Sequence, residues 1–354
     1  MKKTVALAAG VLAAACLAGV TACGNSTAGE ELVLYTPTSE ENLKIIRPSF
    51  EAATGIKLKW VYGSSGDIKK RVLAEVGNPQ GDVIWYNNAE IEDMAEQNDA
   101  FEAYVSKNDK LKAEGLRSEG HGNPCNYTCP VLIWNKKMVN GTITSYADVL
   151  AHPEVQGKIA WGDATGSSSA YDHVQNIVVA LGSGNDYAAM IDQKAPWDYI
   201  EGIYKMLDKK IISSSSISLN GVVSGEYAVG FSWDTKGYEA MEAKSKGDTA
   251  YDDIEVCFMK EGVVASPSGV AIMKGSKHQE AAKKFVDWMC SKEAQTLLGN
   301  YIAGTNPVIG GVELSPWKHD ISELKVIGLP ASFKPQYKPA ILAKLSPIHQ
   351  KYTA

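Results

Sequence analysis

The sequence predicts an α/β protein of two lobes, and three observations carry that expectation. From Glu31 onward, short runs rich in β-branched and aromatic residues alternate with amphipathic stretches. That is the pattern of strands followed by covering helices, and it predicts a mostly parallel sheet. A little over three hundred residues remain after an N-terminal leader, close to two domains at roughly 150 residues each. Polar turns follow successive strands, and in such sheets ligands bind beyond the carboxyl ends of the strands.

The elements follow in order. ELVLYT opens the first strand, which stops at Pro37, and residues 42–54 read as a helix closed by Gly55. Residues 56–62 form a second strand, Gly63-Ser64-Ser65-Gly66 a turn, and residues 67–76 a helix with Ile68, Val72 and Val76 on one side. A third strand at 82–86 breaks at Asn87-Asn88 before a short helix around 91–97. Residues 123–135, NPCNYTCPVLIWN, read as one extended strand leaving the first lobe. In the second lobe, 146–150, 187–193, 197–207 and 219–225 read as helices, 158–161 and 226–233 as strands, and the serine run 213–218 as a solvated loop. Residues 252–259 and 262–274 read as strands returning to the first lobe. One helix spans 277–298 with Ala281, Phe285, Trp288 and Met289 facing the core. The expected lobes are 31–128 with 259–354, C-terminal helices included, and 129–258.

Residues 1–22 read as a bacterial secretory leader: Met1-Lys2-Lys3, an apolar Ala-rich run, and Val20-Thr21-Ala22 before Cys23. The apolar run falls short of the ~20 residues that span a bilayer. Cys23 is the expected lipidation site, with Cys16 a weaker competitor, and 23–30 a polar tether. This places the body outside the cytoplasmic membrane, anchored at its outer face. The balance of 35 basic and 41 acidic residues gives a net charge of −6, with no basic run, which argues against a nucleic-acid partner. Cys125, Cys129, Cys257 and Cys290 remain. They allow two disulfides in three connectivities, unpaired buried thiols, or metal ligation at Cys125-x-x-x-Cys129 without a supporting His pair.

The stretch WGDATGSSSAYDHVQNIVVAL, residues 161–181, reads as an anion seat. Thr165, Ser167, Ser168 and Ser169 put hydroxyls where a helix begins. The first helical N–H groups there lack partners, and the helix dipole favours negative charge. Val174, Ile177, Val178 and Leu181 set that helix on a core. Thr36, Thr38, Ser39, Ser64, Ser65 and Asn87 stand in the turns after the first three strands. Each of these residues also suits a helix cap or a tight turn. Asp172, His173 and Asp234 are candidates for the non-anionic part of a solute, Trp233 for stacking on it, and Tyr238 and Asn126 for weaker contacts.

The succession LVLYTPTSEENLKIIRPSFEAATGIKLKW, VLIWNKKMV, VQGKIAWGDATGSSSAYDHV, SGEYAVGFSWD and GVAIMKGSKHQEAAKKFVDWMCSKEAQTLL resembles the type II extracellular solute-binding proteins of bacterial ABC importers. The branch it most resembles binds ferric ion, phosphonates or sugar phosphates. The resemblance covers essentially the whole mature chain. It implies two α/β lobes with mixed sheets joined by crossing hinge strands, closing as a monomer on one small solute and delivering it to permease and ATPase subunits. In the ferric branch adjacent tyrosines hold the metal, but here the corresponding loop reads Phe231-Ser232-Trp233-Asp234-Thr235, and the loop after the first strand has no histidine. A hard ferric ion wants several anionic oxygens, so the expected solute is an organic phosphate or phosphonate, with ferric ion and a synergistic anion as the alternative. No cofactor or metal is expected. An extracellular phosphate-ester hydrolase is a distant alternative, since no GxSxG, HExxH or Walker segment is present.

Overall fold

The computed structural model describes residues 30–302 and 304–353. The leader, Cys16 and Cys23 lie outside the described residues. The chain opens with β1 (Glu31–Thr36), α1 (Glu40–Thr54), β2 (Lys57–Tyr62), α2 (Ser65–Ala74), β3 (Val83–Asn87), α3 (Asn88–Asn98) and β4 (Phe101–Glu102). Local chemistry sets the bounds of α1: Ser39 caps it, Glu40 and Glu41 sit in its positive first turn, and Gly55 closes it at φ 73°. Its Leu43, Ile46 and Phe50 are fully buried, the spacing of a single helical face.

The expected single strand over 123–135 is two. β5 (Asn123–Thr128) pairs in the first sheet, and β6 (Pro130–Asn135) pairs in the second. Cys129 between them is therefore a crossing point. The second lobe continues through α4 (Tyr146–Ala151), β7 (Ile159–Ala160), α5 (Ser168–Leu181), α6 (Tyr187–Asp192), α7 (Lys194–Met206), α8 (Ser218–Val223), β8 (Val229–Trp233), α9 (Asp234–Ser245), β9 (Ile254–Cys257) and β10 (Val263–Val264). β11 (Ser266–Met273) crosses back, followed by α10 (Gln279–Met289), α11 (Lys292–Tyr301), β12 (Asn306–Pro307), β13 (Val326–Ile327) and α12 (Phe333–Thr353). The helix expected over 277–298 is broken between α10 and α11, where Ser291 caps the second. The charged α9 carries too weak an apolar stripe to announce itself.

The first sheet runs β12-β5-β11-β3-β1-β2, with β4 also on β11. β1 pairs parallel with β2 and β3, but β11 is antiparallel to β3 and β5. The mixed sheet that the resemblance implies is thus what forms, where strand–helix alternation alone suggests a mostly parallel one, because β11 enters from the other lobe and runs the opposite way. One face is covered by α1, α10 and α11, the other by α2 and α3, each over its own apolar core. The second sheet, β7-β8-β6-β9, is likewise covered on both faces, and β10 and β13 form a separate parallel pair. β11, α10 and α11 pack with the first sheet. By contrast α12 packs on α6 and α7, burying Phe333, Ile341 and Leu345 in the second core. The elements of 259–354 thus divide between the two cores. Among the described residues no helix is long and apolar enough to cross a membrane. All four described cysteines are free and buried, so none of the three disulfide connectivities forms.

Candidate functional site

Strand register places the candidate turns. Asn87, at the end of β3, pairs with Ser268, close to where β11 crosses at Ala265. Trp233, at the end of β8, pairs with Pro130, next to the crossing at Cys129. The carboxyl ends of β1 and β3 and of β8 therefore turn toward the seam between the two sheets, the position expected for a ligand in such sheets.

The second-lobe half is a linked set of hydroxyls. Ser167 caps α5, accepting from the Ala170 N–H at 3.5 Å. Its hydroxyl lies 3.0 Å from that of Ser169, Ser169 lies 3.3 Å from Ser214, and Ser214 lies 2.9 Å from Ser216. Ser168 is exposed at the first position of α5, where helical N–H groups have no partner within the helix. The run read as a solvated loop thus contributes half of the array. Only the tertiary packing of 213–216 against α5 brings Ser214 and Ser216 in, and a serine run by itself gives no such signal. The Ser215 hydroxyl, fully buried beside this array, has no protein partner, nor have the Ser232 hydroxyl and the Trp233 indole N–H.

Several expected ligands are engaged elsewhere. Both the hydroxyl and the N–H of Thr165 donate to Asp163, at 2.7 and 2.9 Å. Burial would raise the Asp163 carboxyl, but these bonds and the Gly166 N–H outweigh it and hold it below the usual range. Asp172 pairs with Lys334 of α12 at 2.7 Å, and burial raises its carboxyl despite that ammonium. Its contact fastens α12 to α5. His173 is 1% exposed, edge-on to Phe231 and Trp233 with centroids 5.5 and 6.5 Å away. Burial pushes it down to about 3, against the nearby Ser232 backbone, so it is a neutral core ring. Asp234 is fully buried at the crossing. It accepts from the Cys129 N–H at 3.0 Å, the Thr235 N–H at 2.8 Å and the Asn306 amide. Burial raises it to about 7 against those donors, and it fastens β6, α9 and β12 together. Asn126 is also structural, accepting from the Trp85 indole at 3.0 Å.

On the first-lobe side the turns lie at the strand ends, but most of their polar groups cap helices. Buried Thr36 donates to the Trp85 carbonyl and accepts from the Thr38 N–H, both at 3.0 Å. Ser39, Ser64 and Asn87 accept from the N–H groups of Asn42, Asp67 and Glu90. Thr38 is half-buried and Ser65 exposed, and Tyr62 stands 55% exposed just before that turn. Among the described residues no group of three or more His, Cys, Asp or Glu is placed to hold a metal ion, Cys125 and Cys129 included. What the arrangement offers is hydroxyls, N–H groups and aromatic faces.

A family model for bacterial extracellular solute-binding proteins matches residues 46–325. This chain is a bacterial extracellular solute-binding protein. Its family is one of extracellular proteins that bind solutes. Iron uptake protein A1 of Synechocystis sp. is 24% identical over 325 residues, covering 86% of each chain. Among solved structures, AfuA from Actinobacillus pleuropneumoniae with fructose-6-phosphate bound superposes at TM-score 0.61, with 21% identity over 91% of this chain and 99% of that one. A Bordetella ferric binding protein superposes at TM-score 0.72, with 20% identity over 90% of this chain and 99% of that one. These likenesses show the two-lobed fold, and the site has to say what rides in it.

Proposed function

We propose that this binding protein captures a small organic phosphate or phosphonate and delivers it to its membrane permease, acting as a monomer anchored through lipid on Cys23. The observation that carries the reading is the Ser167–Ser169–Ser214–Ser216 array at the start of α5. Hydroxyls and N–H groups aimed from the positive end of a 14-residue helix stabilise an oxyanion without a Lys or Arg in the turn. Ser168, Thr38, Ser65 and Trp233 complete the proposed contacts as the lobes close. Two similar proteins, iron uptake protein A1 and the Bordetella ferric binding protein, keep ferric ion as the second reading. Against it stands Asp234, the carboxylate of the β8–α9 junction, which already accepts three N–H donors at the crossing. A thermal-shift panel of sugar phosphates, phosphonates, inorganic phosphate and ferric citrate tests the choice, since a ligand of the folded state raises Tm. A rise with phosphate esters or phosphonates is expected. A rise with ferric citrate alone overturns the proposal in favour of iron, and turnover of a phosphomonoester overturns the binding role.

A further inference from the structure

A second pocket shares no residue with that array. It encloses about 360 Å³ between α9 of the second lobe, α11 of the first, and the chain after β12, a size within the usual range for small-molecule sites. Gly304 presses so close to Thr235 that a Cβ there would lie 2.8 Å from the threonine methyl, which shows how directly the two sides meet.

Two polar groups in its wall lack the partners their burial calls for. Lys318 is half-buried. Its ammonium donates to the Thr305 carbonyl at 2.8 Å and stands 5.3 Å from the centre of the Tyr238 ring. No carboxylate among the described residues pairs with it. The Tyr238 hydroxyl, on a side chain 3% exposed, faces the His319 backbone N–H, and its own proton has no acceptor. The pocket's own carboxylates are already neutralised, Glu239 by Lys236 at 2.6 Å and Glu242 by Lys246 at 2.7 Å. A half-buried ammonium with N–H groups to spare, beside a hydroxyl whose proton is unanswered, presents two donors to an incoming anion. Tyr301, 64% exposed, and half-buried Trp317 supply flat apolar walls around them.

We infer that this pocket is a second ligand site, taking a small organic carboxylate with a flat apolar body whose two oxygens meet Lys318 and Tyr238. Two donors match the two oxygens of a carboxylate, and the aromatic walls match its body. Burial lowers the Lys318 ammonium to about 8, countered by Asp234 and Glu242. The ammonium form still predominates at neutral pH, and an anion bound beside it holds the proton more firmly.

Calorimetric titration of the intact protein with benzoate tests the inference. One-to-one binding is expected, weakened about tenfold or more in Lys318→Met, the loss that removing a charged hydrogen bond implies. Tyr238→Phe weakens it less, and Ser168→Asp leaves it unchanged. Benzyl alcohol and inorganic phosphate do not displace it. The inference is overturned by absence of heat with millimolar benzoate, by displacement with phosphate, or by binding that survives in folded Lys318→Met. Should Lys318→Met not fold, the wild-type titration and the two competitors decide the matter alone.

Discussion

His173 allows the sharpest test of how the second lobe is built. Its ring is fully buried, and its pKa falls from 6.5 to about 3 because burial disfavours the cation. The unfolded chain protonates this histidine as pH drops through 6.5, whereas the folded chain does not until about 3. The unfolded state therefore binds more protons across that window, and stability is lost as pH falls. Between neutral pH and pH 5 the loss is roughly 2 kcal/mol, one and a half pH units at about 1.4 kcal/mol each. His173→Phe removes the titration while keeping edge contacts to Phe231 and Trp233. Urea unfolding of wild type and variant at pH 7.5 and pH 5 isolates the effect, because every other group titrates alike in both. The variant should gain about 2 kcal/mol relative to wild type on acidification. An unchanged difference between the two proteins would show that the ring is protonated in the fold, and would return it to the candidates for contact with the non-anionic part of the solute.

Further outcomes follow from the same structure. Ser168→Asp places a carboxylate at the start of α5; phosphate-ester binding should disappear while Tm stays level or rises slightly, since an acid suits that helix end. Retained affinity refutes the seat. Asp234→Ala leaves the buried Cys129 N–H and Asn306 amide without their acceptor, and urea unfolding should show a loss of about 3 kcal/mol; unchanged stability removes Asp234 as the fastener of the crossing. Cys125, Cys129, Cys257 and Cys290 are free, and burial pushes each thiol up. Alkylation followed by mass measurement should therefore modify none of them in the native protein and all four in unreduced denaturant. A pair protected in denaturant would reveal a disulfide.

Much of the architecture was legible because period and punctuation are local. Alternating apolar residues made β1 and β3 plain, and Gly55 ended α1 by a conformation that glycine adopts without strain. The break at Cys290–Ser291 is not legible in the pattern because α10 and α11 keep apolar faces of similar spacing across it. The candidate residues divided along the same line. Ser167 and Ser169 were legible as hydroxyls at a helix start, a relation between neighbours in the chain. Ser214 and Ser216 were not, since they meet Ser169 across 45 residues or through one another.

By itself, the sequence determined the strand–helix order, the hydroxyl turns at strand ends and the family likeness. All of these rest on residues within a few positions of each other. Only the tertiary structure decided which of the turns' polar groups are engaged. Asp172, His173 and Asp234 have the chemistry of ligands, but Lys334, the Phe231–Trp233 rings and the Cys129 crossing reach them from elsewhere in the chain. Burial and long-range partners set the charge and availability of a side chain, and neither is a property of its local sequence.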